Sequence, residues 1–462
     1  MTSDIGQFSV LIVFGNIENL ILAAQGVNAH VNPLGLAILS LIAVICWFLI
    51  GTFGTKIAMK YARYINFVGG LAIFILGAQA MLESIPGILS FFHYLNLIFM
   101  SYLKHKIYGA LFNLFKVFPI DKNKVTFIID SKQSFKGNLD YIKKEFEKRG
   151  NFEFNFFYKD KLSYSAFKKL ATSRYVFLND NFFPIAFMNF KDDSIVTQLW
   201  HAPGAFKKFG ASSESESKDI LKKASENTDF LIVSSKNIVE YYSEAFQIPK
   251  NKIKPLGLPR ADYYFENHDI DSLKSQFYRK YGISEDKKII LYAPTFRDEE
   301  EFNNVFNFLD LEKFNESLGD EYALALRLHP KIRNFYGDDI KSSKGGYIDC
   351  SGYPSEQELL LISDILITDY SSIMIEFALL DKPIVFFIYD FDSYLTKERG
   401  FYFDFKSTVP GPIASDSNQL INIIKNKDFN KDRLSKFVNT QFDEIDGQSS
   451  QRVVDFLLNY EG

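Results

Sequence analysis

Two short apolar runs, Ile365–Thr368 and Pro383–Phe387, flank a segment from Ser371 to Leu380 that is apolar nearly all round. Runs this short and this pure suit parallel strands buried on both faces, and parallel strands need a crossover between them. The segment between them is therefore read as a helix, covered by other structure because it lacks a polar face. Glu376 is its one charge. Asp369-Tyr370-Ser371-Ser372 becomes a strand-to-helix turn, with two hydroxyls and several unpaired N–H groups directed beyond the strand's carboxyl end, a place suited to phosphate. Ser371 and Ser372 have a competing role as caps of a buried helix. Glu376 favours a ligand: a lone carboxylate on a buried helix must find donors, and ribose hydroxyls one turn past a phosphate cradle would supply them.

The same alternation recurs along the chain. Lys124–Asp130, Tyr175–Leu178, Ile195–Leu199 and Phe230–Val233 read as strands, with helices over Asn138–Gly150 and Lys236–Phe246. Phe152–Phe157 alternates too little to assign. The turn-rich Gly257-Leu258-Pro259-Arg260 is where the chain leaves one half for another. A second series follows, with strands Lys288–Tyr292 and Tyr322–Leu328, a helix near Leu309–Leu318 and a last helix near Gln451–Tyr460. The expected class is α/β, with one domain over 119–260, a second over 261–462, and a cleft at the strands' carboxyl ends.

Residues 1–118 differ in character. Leu34–Thr55 carries no charge over a length that crosses a bilayer core. Phe8–Gln25, Asn66–Met81 and Gly87–Leu103 are shorter or less pure, the last being either a fourth span or an interfacial helix. Lys56, Lys60 and Arg63 gather after the second span and Lys104, His105 and Lys106 after the fourth, so four spans place both termini and the α/β part in the cytoplasm, whereas three leave the α/β part outside. A multi-pass, all-α membrane segment is expected. Glu18, beside Asn16 and Asn19, falls inside the first span, where an ionisable group needs a partner or a polar cavity. Net charge of -4 opposes nucleic acid as a partner. Two cysteines, Cys46 and Cys350, give neither a disulfide framework nor zinc spacing.

Further motifs sit at strand ends. In TQLWHAPGAFKKFG (197–210), His201 follows a strand directly, where a neutral imidazole can take a proton from an attacking hydroxyl. Pro203 and Gly204 force a turn, and Lys207 and Lys208 add positive charge. The alternative for His201 is a buried histidine satisfying a backbone carbonyl. In LRLHP (326–330), Arg327 and His329 alternate with leucines and so share a face, forming a phosphate clamp opposite the Ser371-Ser372 turn. In YAPTFRD (292–298), Thr295 and Arg297 extend the set, although Arg297 could equally pair with Asp298–Glu301 in solvent. No acidic cluster requires a metal, and no cofactor is called for; Asp369 beside a pyrophosphate could hold a divalent cation indirectly.

Taken together, TQLWHAPGAFKKFG, GLPRADYY, LYAPTFRD, LRLHP, ITDYSSIMIEF with DKPIVFF, and DGQSSQRV resemble the CDP-glycerol glycerophosphotransferases of wall teichoic acid synthesis, over about residues 122–460. The resemblance implies a GT-B-like pair of Rossmann-type domains, the first on the acceptor side and the second on the donor side. It also implies a CDP-glycerol or CDP-ribitol donor, a lipid-linked teichoic acid acceptor and release of CMP. On the same grounds His201 would be the catalytic base and His329 would contact the donor phosphates. Ser371 and Ser372 would hold the pyrophosphate and Glu376 would lie near the ribose. The family commonly has Gly where Ala202 stands, which would alter the turn or the acceptor pocket if that residue needed positive φ. Gly15–Gln79 is similar to one repeat of TerC-type membrane transporters, in which an acidic-Asn pair faces a cation path. Families of that type are usually built from two repeats, so transport would require dimerisation; an anchor is the other reading.

Two rivals stand beside the phosphotransferase. One is a GT-B nucleotide-sugar transferase, since function lives in the site rather than the fold. The other is a membrane cation transporter or scaffold with a regulatory α/β part. Oligomeric state is not legible from the sequence.

Overall fold

The apolar runs pair as parallel strands. The computed structural model describes residues 100–130, 135–161, 163–213, 218–297, 300–329, 346–397 and 400–460, with helical residues at 38, 42, 67, 69–74 and 76–77. Glu18, the basic residues 56, 60 and 63, and most of the apolar segments before residue 100 lie outside the described residues. No helix among the described residues is long and apolar enough to cross a membrane.

Residues 100–462 form one compact unit built on two six-stranded sheets. The first comprises β1 (Asp121–Ile129), β2 (Glu153–Tyr158), β3 (Ser173–Leu178), β4 (Ile195–Gln198), β5 (Phe230–Val233) and β6 (Ile253–Pro255), in spatial order β2-β1-β3-β4-β5-β6. The second comprises β7 (Lys288–Ala293), β8 (Tyr322–Leu326), β9 (Ile348–Asp349), β10 (Ile365–Thr368), β11 (Ile384–Phe387) and β12 (Ile413–Ala414), in order β12-β11-β10-β7-β8-β9. Neighbouring strands run parallel in both sheets. Strands β4, β5, β8, β10 and β11 are buried at every position, as their largely apolar sequences require, with Thr197, Gln198 and Thr368 as buried polar exceptions.

Each order reverses once, between β1 and β3 in the first sheet and between β7 and β10 in the second. Loops leaving adjacent strands part there, which opens a crevice at the carboxyl ends. The loops after β3, β7 and β10 therefore carry Asp180, Thr295 to Arg297 and Asp369 to Ser372. Strand β2, whose sequence alternates poorly, sits at the sheet edge with exposed Phe156 and Glu153.

The last helix, Ser449–Leu458, returns to the first sheet, where Val453, Val454 and Leu457 join the core of Val125, Phe127 and Ile232. Its start is fixed by Asp262: the buried carboxylate accepts from Ser449 N (2.9 Å), Ser450 N (2.8 Å) and Ser450 Oγ (2.6 Å). Gly257 lies against the same helix with φ 109°, and a Cβ there would stand 2.3 Å from Ser449 Oγ. The GLPRAD and DGQSSQRV segments are thus one junction. Residues 100–114 form a helix that packs Tyr108 and Phe112 into the first half. Replacing Asp262 by Ala strands buried donors, so Asp262→Ala is expected to lower unfolding free energy by roughly 2–3 kcal/mol in denaturant titration.

Candidate active site

Trp200, two residues past β4, has a left-handed φ of 58°, a conformation that a bulky residue adopts only under constraint. Its N–H donates to Gln198 Oε1 (2.9 Å) and its carbonyl accepts from Asn138 Nδ2 (2.7 Å). Asn138 opens the helix Asn138–Arg149, and its Oδ1 accepts from Arg260 N (2.9 Å). These bonds aim His201 outward: its side chain is half exposed, with Nδ1 3.6 Å from Asp180 Oδ1. Burial opposes ionisation of Asp180, but the His201 contact, the Asn181 N–H and the charge of Lys159 outweigh it and hold the carboxyl below its usual range. Asp180 thus stays ionised beside the ring.

The turn after His201 is clamped from several sides. Gly204 has φ 59°, and a Cβ there would stand 2.3 Å from Gln441 Oε1 and 2.9 Å from Ile375 Cδ1. Tyr242 Oη donates to the carbonyls of Gly204 (2.7 Å) and Ala202 (3.2 Å). Lys207 bridges to Phe401, Lys208 N donates to Gly400 O (2.8 Å) and Tyr402 N to Phe206 O (2.9 Å). Left-handed backbone falls on Trp200 and Gly204 and not on Ala202, so the Cβ of Ala202 brings no φ strain.

Across the cleft, Ser372 precedes the helix Ile373–Ala378 without a side-chain cap bond, whereas Ser371 Oγ accepts from Ile373 N at 3.4 Å. Glu376 is buried, and its Oε1 accepts from Arg260 Nε (3.0 Å) and Tyr264 Oη (3.4 Å). Burial raises its pKa and Arg260 opposes that rise. Arg260 Nη2 also donates to Glu356 Oε1 (3.1 Å). Arg297 is buried, not solvated: Nε and Nη2 donate to Asp390 (2.7 and 3.1 Å), and Nη1 to Asp369 and the Thr295 carbonyl. Asp369 also accepts from Thr295 N (2.9 Å) and Tyr370 N. Thr295 Oγ1 is buried with no partner among the described residues. Arg327 donates to Tyr353 O (3.2 Å) and lies 3.8 Å from Glu356. His329 is exposed, its ring 5.6 Å from that of Phe296.

Two cavities meet at His201. One of about 340 Å³ is lined by Asp180, His201, Gly204, Lys207, Lys208 and Ser372. The other, of about 570 Å³, is lined by Lys136, Lys159, Asp180, His201, Arg260, Arg327 and Glu356. The structure therefore gathers six of the sequence-derived residues around the two: His201, Gly204, Lys207, Lys208, Ser372 and Arg327. His329, Thr295, Arg297, Asp369, Ser371 and Glu376 line neither. Arg297 and Asp369 stand behind the turn and lock β7 to β10. Among the described residues no three His, Cys, Asp or Glu side chains gather as a metal site.

Sequence reasoning missed Asp180, Arg260, Asp390 and Gln441. Asp180 has a readable signal, being a carboxylate just past a strand end. Arg260 lies within GLPRADYY, where local sequence signals only a turn.

The family model for CDP-glycerol:poly(glycerophosphate) glycerophosphotransferase matches residues 110–459. The chain is similar to a teichoic acid poly(ribitol-phosphate) polymerase of Bacillus spizizenii, 37% identical over 374 residues, covering 78% of this chain and 60% of that protein. It is also similar to a teichoic acid glycerol-phosphate primase of Bacillus subtilis, 36% identical over 292 residues, 62% of this chain and 73% of that protein. The chain thus spans about 60% of the length of the first relative. Among solved structures, the wall teichoic acid polymerase TagF superposes with a TM-score of 0.65 at 24% identity, over 78% of this chain and 97% of that one. The shared architecture is the GT-B-like pair of Rossmann-type sheets.

Because a buried ion pair that loses one partner leaves an uncompensated charge, Arg297→Ala is expected to cost about 3–5 kcal/mol of stability, read by chemical unfolding.

Proposed function

Since the chain belongs to the CDP-glycerol:poly(glycerophosphate) glycerophosphotransferase family, we propose that it transfers an alditol phosphate from a CDP-alditol to a hydroxyl of a lipid-linked teichoic acid chain, releasing CMP. The observation that carries this reading is the position of His201, half exposed in the wall common to two cavities, with Asp180 behind Nδ1 and Ser372, Lys207 and Lys208 lining the same space.

In this mechanism neutral His201 accepts the acceptor hydroxyl's proton at Nε2. The acceptor oxygen forms a bond to the phosphorus that bears the alditol, and the bond from that phosphorus to the bridging oxygen breaks. CMP leaves with the bonding pair, and the imidazolium later returns its proton to water. Asp180 steadies the imidazolium charge. Lys207, Lys208 and Ser372 in the smaller cavity and Arg327 in the larger face the charge that develops on the leaving phosphate, where positioning and electrostatics supply most of the rate. Glu376, buried against Arg260 and Tyr264, holds the helix that follows the Ser371-Ser372 turn. Residues 119–260 serve the acceptor and residues 261–462 the donor. The donor is CDP-glycerol, with CDP-ribitol as the alternative that the relative aligned over 374 residues supports. The apolar segments before residue 100 anchor the enzyme beside its lipid-linked acceptor on the cytoplasmic face of the membrane.

Detergent-purified chain, given CDP-glycerol or CDP-ribitol and a lipid-linked acceptor, is expected to release CMP from one donor in an acceptor-dependent way. His201→Ala is expected to lower turnover by about 10²–10⁴-fold while donor affinity persists. Equal loss of donor binding would remove His201 from the base role, and no CMP from either donor with folded protein would favour a sugar donor. Asp180→Asn is expected to give a smaller fall in kcat with KM little changed, by steady-state kinetics.

A further inference from the structure

Ala205 is buried, and it lies in a turn, so its N–H and C=O have no strand neighbour to pair with. Gln441, the last residue of the helix Lys431–Gln441 and 0% exposed, supplies both partners: Oε1 accepts from Ala205 N (3.0 Å) and Nε2 donates to Ala205 O (3.2 Å). A side-chain amide here imitates a neighbouring peptide group, and the donor on one side with the acceptor on the other fixes its orientation.

The turn is shaped around this amide. Gly204 must lack a Cβ because Gln441 Oε1 occupies that space, and the same missing Cβ lets Ile375 approach. Ile375 belongs to the helix that Ser372 precedes. One short stretch of backbone therefore touches Gln441, the helix behind the Ser371-Ser372 turn and, three residues back, His201.

We propose that Gln441 is a positioning residue for the transfer reaction: its paired amide fixes the turn that carries His201 and so sets the imidazole against the Ser371-Ser372 turn. The proposal rests on His201 acting as base. Gln441 touches neither donor nor acceptor, so its effect falls on kcat and leaves donor binding nearly unchanged.

The test uses Gln441→Glu in the full chain, with CMP release measured between about pH 5.5 and 8.5, the range over which a buried carboxyl with a raised pKa titrates. An ionised carboxylate cannot donate to Ala205 O and is repelled by it, whereas a protonated carboxyl can accept and donate as the amide does. Gln441→Leu, which can do neither, is the comparison. At the alkaline end Gln441→Glu is expected to lose roughly 10- to 100-fold in kcat with donor KM held within about threefold. Relative to the unsubstituted chain, its kcat should climb as pH falls, while that of Gln441→Leu stays low throughout. Thermal unfolding at each pH separates this from loss of folded protein. Unchanged kcat for Gln441→Glu at every pH overturns the proposal, as does a loss that ignores pH and follows only the folded fraction. If the unsubstituted chain releases no CMP from either donor, the functional reading fails and the positioning role with it.

Discussion

Glu376 is a carboxylate on a helix otherwise apolar on every side, and such a group persists only if a cation is brought to it. Arg260 is that cation. It lies in the segment that joins the two sheets, and its guanidinium reaches Glu376, Glu356 and the carbonyl of His201 (3.5 Å), while its backbone N–H is held by Asn138. One residue thus ties the crossover between the halves to a helix of the second sheet, to the helix Asn138–Arg149 of the first and to the backbone of His201. The charge requirement of a single buried side chain accounts for how the floor of the larger cavity is assembled.

A second arginine, this one fully buried, does comparable work in the second sheet. Arg297 holds Asp369 and Asp390 together, and the rings of Tyr370, Tyr389 and Tyr394 surround its guanidinium at 5.0, 5.4 and 5.6 Å. The strand-end turns that flank the switch point are therefore joined by charge as well as by β-pairing. The abundance of aromatic residues has a related use, since Trp200, Phe209, Tyr242 and Phe246 pack as one cluster beneath the His201 turn.

Much of the fold was legible because short, pure apolar runs have few structural outlets. Ile365–Thr368 and Phe230–Val233 match their strands residue for residue. Strand β2 was not legible, because an edge strand with one wetted face and three phenylalanines gives no clean period. Strands β9 and β12 are two residues long and carry no pattern at all. At the site, His201 and Ser372 could be placed because each follows a strand end. Arg297 misled because local sequence offered acidic neighbours, whereas its partners, Asp369 and Asp390, are 72 and 93 residues away. Gln441 is 236 residues from Ala205, and nothing in a glutamine at a helix end announces such a pairing.

The stitching of residues 204–208 to Gly400–Tyr402 and to Gln441 has a mechanical consequence. Covalently the His201 turn extends from the first sheet, yet it is bonded on both sides: Asn138 and Tyr242 hold it from the first half, Gln441 and Gly400 from the second. Any displacement of one sheet against the other would have to break bonds on one side of residues 200–208. The turn works as a rivet: the spacing between His201 and the helix that follows Ser372 is set by both sheets together and by neither alone.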